Sequence, residues 1–270
     1  IRKLGRGTRS LISGEFKTRV SIKNRDELGK LSRDFNILAK TLDKNSESQK
    51  QWLADISHEL RTPIAILKSE LEAVEDGIRE FDKETLQSLT HEVKRINNLV
   101  NDLYELTLAD LGAMKYQMRE INIGTCLKET IESYRDRLVS SGIELTQIIE
   151  ADGACLGDSY RLEQLFTNLI ENSLRYTDLP GKLKIHLIEE KDEILITFSD
   201  SAPGVDGDVV EKIFDRFFRE ELSRSREKGG AGLGLAICHE IVEAHSGSIS
   251  ATSSDLGGLS IQISLPKGVS

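Results

Sequence analysis

Apolar residues in the first 110 positions recur at intervals of three and four, the spacing that lines one side of an α-helix. One stripe runs over residues 53–74 and another over residues 86–106, with a turn predicted at 79–83 between them. Two helices that each carry one apolar stripe cannot bury both stripes alone. The pattern therefore predicts an antiparallel helical hairpin, which pairs with a second copy of the chain in a four-helix bundle.

A further stripe, over residues 28–42, precedes the hairpin and has the spacing of a coiled-coil seam. Leu4 and Leu11 lie seven residues apart before it, so residues 1 to about 45 predict two short helices joined by an extended connector. No apolar residue continues the seam over residues 43–51, and the next stripe resumes with an offset that resembles a four-residue stutter. We expect the coiled coil to unwind locally there.

The pattern changes at about residue 116, where β-branched and aromatic runs alternate with helical stretches. Helices are predicted over 123–140, 158–176 and 232–245. Strands are predicted in the runs "KIHLIEE", "ILITFSD", "GSISATSS" and "LSIQISLP". Strands that bunch toward the C-terminus with helices between them predict an α/β sandwich in which helices cover one sheet.

Charge is distributed unevenly along the chain. Residues 1–50 contain 13 Lys and Arg against 6 Asp and Glu, whereas the whole chain has a formal net charge of −9. The acidic remainder argues against nucleic acid as a partner. The basic N-terminal segment is typical of a position just cytoplasmic of a membrane span.

The chain contains no run of the ~20 apolar residues that a spanning helix needs, and no signal-peptide pattern. It begins at Ile1 without a methionine and in mid-pattern, so we expect a soluble fragment whose upstream membrane part has been removed. Cys126, Cys155 and Cys238 are widely separated and include no Cys-x-x-Cys pair. They suit a reducing cytosol and predict neither a disulfide framework nor a zinc site.

The stretch "ISHELRTP", residues 56–63, places a histidine and a proline inside the first hairpin helix. His58 lies about 200° around the helix from the seam residues Ile56 and Leu60, which predicts an exposed imidazole. Pro63 has no N–H for the carbonyl of Glu59, so a bend is predicted beside His58. Glu59 can accept a hydrogen bond from one imidazole nitrogen, which fixes the tautomer and makes the other nitrogen more nucleophilic, and this pairing favours a nucleophile over a merely solvated histidine.

The same stretch is not a metalloprotease helix, because residue 62 is threonine where His-Glu-x-x-His requires a second histidine. The remaining histidines, at positions 91, 186, 239 and 245, show no paired spacing. We interpret them as ordinary surface or core residues.

Five motifs resemble the boxes of bacterial two-component sensor histidine kinases. "SHELRTP" resembles their H-box, and "NLIENSLRYT", "DSAPGV", "IFDRFFRE" and "GGAGLGLAI" resemble their N, G1, F and G2 boxes, in the family's order. Any single box would be a weak signal, whereas their joint occurrence over essentially the whole chain is specific. The resemblance implies an α + α/β chain: a HAMP signal-relay coiled coil at 1–45, a dimerisation and histidine phosphotransfer domain at 46–111, and a catalytic ATP-binding domain at 112–270.

Asn168 and Asn172 are four residues apart on a predicted helix and therefore share a face. A carboxamide oxygen suits Mg²⁺ that is held largely by phosphates. The resemblance makes Asn172 the magnesium ligand, with Arg175 reaching phosphate and Tyr176 packing on the nucleotide. Without the other boxes, the default interpretation would be the polar face of a surface helix.

Asp200 ends a predicted strand, where its carboxylate can accept a hydrogen bond from an exocyclic amine. The resemblance assigns it to adenine recognition and implies that Gly204 lets the backbone come close to the nucleotide. The family usually has Asp-x-Gly-x-Gly, but Ala202 replaces the first glycine here. We expect its methyl group to be tolerated if Ala202 keeps φ below zero.

The run "EELSRSREKGGAGLGLA" combines a charged segment with glycines that open a helix. Backbone N–H groups at a helix N-terminus form a natural phosphate cradle. The run is not a Walker loop, because no Gly-Lys-Ser/Thr follows, and no strand precedes it as a dinucleotide fingerprint requires. The residues that the resemblance places in this cradle are Gly230, Gly232, Leu233, Gly234 and Leu235.

The charged part of this run is predicted to form a mobile lid over the nucleotide. Phe214, Phe217 and Phe218 would anchor the lid, and they also fit an ordinary core role. Arg219 is a candidate phosphate contact.

The resemblance implies phosphoryl transfer from ATP, with Mg²⁺, to a nitrogen of His58, with Glu59 as base and orienting group. The phosphoryl group would then pass to an aspartate on the receiver domain of a response regulator. Thr62 occupies the position that orients water for dephosphorylating the regulator, which implies a kinase that is also a phosphatase. The resemblance further implies a homodimer in the cytoplasmic portion of a bacterial inner (plasma) membrane sensor.

Two other functions are compatible with the predicted sandwich. One is an ATPase that remodels client proteins, as chaperones and topoisomerases of related fold do, and the exposed His58 beside Glu59 speaks against it. The other is a scaffold that binds nucleotide without catalysis. ATP binding without labelling of the protein would favour the scaffold.

Overall fold

The computed structural model describes residues 2–21, 26–205, 207, 209–219 and 231–268. Its helices are α1 Arg2–Ile12, α2 Glu27–Glu75, α3 Lys83–Asp110, α4 Ile123–Ser140, α5 Ser159–Tyr176 and α6 Gly234–Ala244, with a 3₁₀-helix at Val210–Phe214. Its strands are β1 Arg119–Asn122, β2 Ile143–Ile149, β3 Ala154–Gly157, β4 Gly181–Glu189, β5 Glu193–Ser201, β6 Ser248–Ser253 and β7 Gly257–Pro266. The chain divides into two compact units, residues 1–85 and 86–270.

In the first unit, α2 is one helix of 49 residues, about 74 Å long. The Asp26 side chain caps it by accepting from the Gly29 N–H at 3.0 Å. The prediction of two short helices at residues 1–45 is therefore wrong for the second, which continues through the polar stretch 43–51. That stretch is rich in Lys, Glu and Gln, whose high helix propensity sustains a helix without an apolar seam. Within the described ranges, no helix is long and apolar enough to cross a membrane.

The connector between α1 and α2 is held by a side-chain amide. Asn36 of α2 accepts from the N–H of Val20 and donates to its carbonyl, each at 2.8 Å. Val20 is 8% exposed and packs with Phe35 and Ala39 in a small core. A Cβ on Gly7 would lie 2.8 Å from the Phe35 ring, so α1 comes close to α2 at a glycine.

Residues 76–82 separate α2 from α3. Gly77, with φ +70°, ends α2, and the Ile78 N–H bonds to the carbonyl of Ala73 as in a Schellman motif. Asp82 caps the next helix by accepting from the Thr85 N–H at 2.8 Å, which lowers the pKa of its carboxyl group. The turn predicted at 79–83 therefore begins earlier than expected, because Gly77 supplies the helix stop.

The second unit contains a five-stranded sheet in the order β2-β4-β5-β7-β6, with β2 parallel to β4 and the other pairs antiparallel. A separate pair joins β1 to β3. Every second residue along β4 and β5 is buried, which is the pattern of a sheet covered on one face. Helix α5 packs between α4 and α6, while α4 contacts β2 and α6 contacts β6. This is the predicted α/β sandwich.

His245 joins the start of α5 to the end of α6. Its Nε2 atom accepts from the Asp158 N–H at 2.9 Å, and its Nδ1 atom donates to the Ile241 carbonyl at 2.7 Å. The Asp158 carboxylate caps α5. His245 is 4% exposed, and burial lowers the pKa of its imidazole. Its burial agrees with the interpretation of the remaining histidines as ordinary surface or core residues, and its two hydrogen bonds tie the start of α5 to the end of α6.

Candidate active site

The structure divides the predicted site residues between the two units. The residues of the "SHELRTP" motif lie on α2 in the first unit, and the residues of the other boxes lie in the second unit.

His58 is exposed on α2, as its position off the seam predicts, and Glu59 beside it is half-buried. Thr62, one turn later, is exposed and its hydroxyl donates to the His58 carbonyl at 3.3 Å. Pro63 lies inside the continuous helix and is buried. The bend at Pro63 stays a prediction, but the Glu59 carbonyl has no N–H at position 63 to accept from.

Asn168 and Asn172 are both half-buried on α5, four residues apart on one face. The Asn168 amide donates to the carbonyl of Gly234, the first residue of α6, at 3.4 Å. This bond places the asparagine face of α5 beside the glycine turn that opens α6. Arg175 is exposed and Tyr176 is half-buried at the end of the same helix.

Asp200 lies at the end of β5 and is 7% exposed. Its carboxylate accepts from the Leu259 N–H at 2.7 Å and from the Ser173 hydroxyl at 3.3 Å. Burial is the main cause that raises the pKa of Asp200 to about 6, and these two hydrogen bonds oppose it. A buried acceptor of this kind can bind an exocyclic amine because water does not compete for it.

Gly258 is a candidate site residue that its sequence context does not mark. A Cβ at this position would lie 2.3 Å from the Asp200 Oδ1 atom and 2.5 Å from the Ser201 carbonyl. Only glycine therefore lets β7 pass this close to the aspartate. The "GG" of "DLGGLS" was a weak signal, because glycine pairs also mark ordinary turns.

The segment after Asp200 also approaches β7. A Cβ on Gly204 would lie 3.2 Å from the Gly257 carbonyl, so the backbone at Gly204 is close to β7, and its approach to the nucleotide stays a prediction. Among the described residues, the only non-glycine residues with positive φ are Phe217 and Ser246. Ala202 therefore meets the condition under which its methyl group is tolerated.

The glycine turn before α6 is tightly built. Gly232 has φ +68°, and a Cβ there would lie 2.8 Å from the Phe218 carbonyl. The Phe217 N–H donates to the Gly232 carbonyl at 3.0 Å, so the segment before the predicted lid meets the segment after it. Leu233 is buried and precedes Gly234, where α6 begins. The backbone N–H groups of a helix start are thereby available to phosphate.

The other residues predicted for this turn have different positions. Leu235 is half-buried in the first turn of α6, and Arg219 is half-buried at the end of a described range. Gly230 and the charged run before it lie outside the described residues. Phe214, Phe217 and Phe218 are half-buried, and the Phe214 ring lies 6.1 Å from the His239 ring.

These residues fit a magnesium nucleotide. The described part of the chain has no group of three His, Cys, Asp or Glu side chains that could hold a metal ion. Mg²⁺ needs only one or two protein oxygens when phosphates supply the others, and the half-buried carboxamide of Asn172 is such an oxygen. In the glycine turn, a Cβ on Gly234 would meet only the Asn168 side chain, at 3.9 Å, so the backbone at the start of α6 is open to a ligand on the asparagine face.

We expect Asp200→Asn to weaken ATP binding about tenfold or more and to stabilise the fold. The substitution removes the ionised carboxylate that would accept from the exocyclic amine of adenine. Loss of a buried, charge-assisted hydrogen bond costs about this much affinity. Burial raises the pKa of the Asp200 carboxyl group from 3.8 to about 6, so the folded chain holds this proton more tightly than the unfolded chain does. The loss of folding free energy that ionisation causes therefore reaches its full value only above pH 6. The variant should therefore gain about 2 to 3 kcal/mol in free energy of unfolding at pH 7.5, and the gain should shrink towards pH 5. Calorimetric titration and urea unfolding measure the two effects.

The exposed Asp192, in the turn before β5, provides the matched control as Asp192→Asn. In the unchanged chain, ATP affinity should also fall as the pH drops below about 6, since protonation turns the ionised acceptor into a weaker neutral one. An Asp200→Asn variant that binds ATP as tightly as the control would refute the assignment of Asp200 to the adenine.

Family models match three parts of the chain. The model "Histidine kinase-, DNA gyrase B-, and HSP90-like ATPase" matches residues 157–269, "His Kinase A (phospho-acceptor) domain" matches 48–112, and "HAMP domain" matches 1–44.

The chain is 48% identical over 266 residues to the signal transduction histidine-protein kinase BaeS of Escherichia coli, which covers 98% of this chain and 57% of BaeS. It is 34% identical over 224 residues to the sensor protein SrrB of Staphylococcus aureus, covering 82% of this chain and 38% of SrrB. The chain thus spans little more than half the length of BaeS.

Two solved structures share the fold. The histidine kinase AdeS of Acinetobacter baumannii has a TM-score of 0.67 at 26% identity, covering 78% of this chain and 98% of that one. The histidine kinase ThkA in complex with the response regulator protein TrrA also has a TM-score of 0.67, at 21% identity, covering 84% of this chain and 64% of that one.

Proposed function

This chain belongs to the sensor histidine kinases of two-component systems, and from that membership we propose that it transfers the γ-phosphoryl group of ATP to a ring nitrogen of His58. The observation that carries the proposal is the hydrogen bond from Asn168 to Gly234, which sets the asparagine face of α5 beside the glycine turn of α6. A carboxamide ligand for magnesium and a backbone cradle for phosphate then serve one nucleotide.

In this mechanism Asp200 accepts from the adenine amine, Asn172 holds Mg²⁺, and Gly232 and Gly234 present N–H groups to the phosphates. The bound magnesium ion supplies charge neutralisation at the phosphates. Arg175 and Arg219 are proposed phosphate contacts, Tyr176 packs on the nucleotide, and Gly204, Leu233 and Leu235 shape the cleft. Gly230 is assigned to the phosphate cradle by the resemblance alone.

At the acceptor, the lone pair of one His58 nitrogen attacks the γ-phosphorus, and the bond from that phosphorus to the bridging oxygen breaks as ADP leaves. Glu59 orients the imidazole and takes the proton from its other nitrogen. Catalysis rests on positioning and charge neutralisation, because the transfer itself needs little covalent help.

We propose that the phosphoryl group then passes to an aspartate of a response regulator receiver domain. The structure of ThkA with a response regulator supports this class of partner. Thr62, exposed one turn after His58, would orient water toward the phosphorylated regulator and so give the chain phosphatase activity as well. The homodimer through α2 and α3, and the role as cytoplasmic portion of an inner (plasma) membrane sensor, follow from family membership and the basic residues 1–50.

The proposed domains are HAMP at 1–45, dimerisation and phosphotransfer at 46–111, and ATP binding at 112–270. The family matches support this division. Helix α2 runs across the first boundary without interruption. The boundary therefore separates two roles along one helix.

Labelling with γ-³²P ATP and Mg²⁺ tests the proposal. We expect a label that is lost in acid and survives alkali, and that moves to a receiver domain when one is added. In Thr62→Ala, labelling and transfer should persist while regulator dephosphorylation slows at least about tenfold, since a misplaced water loses its orientation. ATP binding without any label would favour the scaffold, and an unchanged dephosphorylation rate would remove Thr62 from the phosphatase step.

A further inference from the structure

Two carboxylates near the C-terminal end of α3 contact two different elements of the second unit. Glu105 contacts α5, and Asp110 contacts the segment that leads into the glycine turn before α6. The first element carries Asn168 and Asn172, and the second is hydrogen bonded through Phe217 to the glycine turn that forms the proposed phosphate cradle. Each wall of the proposed nucleotide cleft is therefore attached to the same helix.

Glu105 uses both oxygens on α5. Its Oε1 atom accepts from Arg161 and its Oε2 atom from Gln164, each at 2.6 Å, and Arg161 also donates to Gln164 at 2.8 Å. Gln164 lies one turn before Asn168 on the same face of α5. A change in the position of Glu105 would therefore rotate or shift the asparagine face.

Asp110 holds Arg216 through both guanidinium Nη atoms, one of them at 2.6 Å, and Arg216 also lies 3.5 Å from Glu240 of α6. The next residue, Phe217, donates its N–H to the Gly232 carbonyl at 3.0 Å. Asp110 thus reaches the glycine turn through one side chain and one backbone hydrogen bond.

The exposed fraction of these side chains decides how strongly each ion pair holds its two elements together. Exposed ion pairs are usually worth about 0–1 kcal/mol, because water screens them. The side chains of Arg161 and Glu105 are only 15% and 18% exposed, and Leu106 beside them on α3 is 1% exposed. Charge-assisted bonds with little access to water are the stronger kind. The bidentate pair of Arg216 and Asp110 is more exposed, at 27% and 45%, so water screens it more.

We propose that Glu105 and Asp110 are positioning residues for the ATP site, so that a shift of α3 alters ATP affinity by moving the two walls of the cleft relative to each other. The inference rests on the proposed function, because it takes α5 and the glycine turn as those walls. By linkage, bound ATP stabilises the arrangement of α3 that favours its binding, by the same factor.

The test uses Glu105→Gln and Asp110→Asn in the full chain. We expect each to raise the dissociation constant of the ATP analogue AMP-PNP with Mg²⁺, and the KM for ATP in His58 labelling, by about fivefold or more. The labelling rate at saturating ATP should stay close to that of the unchanged chain. If the two carboxylates had only a structural role, the variants would melt at a lower temperature but would not combine a raised KM with an unchanged maximal labelling rate.

A charge swap provides the second arm. Arg161→Glu alone should weaken AMP-PNP binding, and Arg161→Glu combined with Glu105→Arg should restore it. Glu120→Gln is the matched control, because Glu120 is exposed on β1 and forms no ion pair within the described ranges. Unchanged dissociation constants in both carboxylate variants, or a folded swap variant without recovery, would overturn the inference. An unchanged chain that binds AMP-PNP but gives no label on His58 would refute the proposed function instead.

Discussion

Replacing His58 by glutamine will reduce acid-labile labelling from γ-³²P ATP to background while leaving ATP affinity unchanged. Glutamine occupies a similar volume and can hydrogen bond, but its amide nitrogen has no lone pair free to attack phosphorus. His58 is exposed on α2, so the substitution removes no packing contact and the helix should keep its stability. Gel autoradiography measures the label, and calorimetric titration with AMP-PNP measures the affinity.

His91→Gln is the matched control, because His91 is an exposed histidine on α3. It should label as the unchanged chain does. Persistent acid-labile label in His58→Gln would assign the acceptor to another histidine and would contradict the proposed mechanism.

Gly258→Ala should have the second-largest effect, lowering ATP affinity about tenfold to a hundredfold. The added Cβ would lie 2.3 Å from the Asp200 Oδ1 atom, so either the carboxylate or β7 must move. Overpacking of this kind costs about 1–3 kcal/mol, and a tenfold change in affinity corresponds to about 1.4 kcal/mol. Calorimetric titration measures the affinity, and thermal unfolding shows whether the variant remains folded.

Gly5→Ala carries the same substitution where a Cβ would meet nothing within 4 Å. It should leave ATP affinity unchanged. If Gly258→Ala bound ATP as tightly as this control, the close approach of β7 to Asp200 would have no part in nucleotide binding.

The sequence predicted the elements whose burial follows a regular period. The bounds of α4 agree with the predicted helix 123–140, and α5 begins one residue late because Asp158 is its cap. Strand β2 was missed because it lies at the sheet edge, where its burial does not alternate cleanly. Strands β1 and β3 have only four residues each, too few for a periodic signal.

The site shows the same division. Asp200, Asn168 and Gly232 stand in recognisable motifs, so their sequence context makes them candidates for the site. Gly258 owes its importance to a neighbour 58 positions away, and a glycine carries no side-chain pattern. Glu105 and Asp110 resemble the solvated charges that any amphipathic helix carries, until the structure shows their arginine partners.

The continuity of α2 has a mechanical consequence. A single α-helix from Glu27 to beyond His58 transmits torque, because its hydrogen-bond ladder resists twisting far better than a jointed chain would. A rotation of α2 at Asn36, where the side chain is hydrogen bonded to the connector, would rotate the helix at His58 by nearly the same angle. The quantity that α2 transmits is then a rotation about its own axis. One inserted residue would turn the imidazole by about 100° about that axis, whereas seven would turn it by only about 20°.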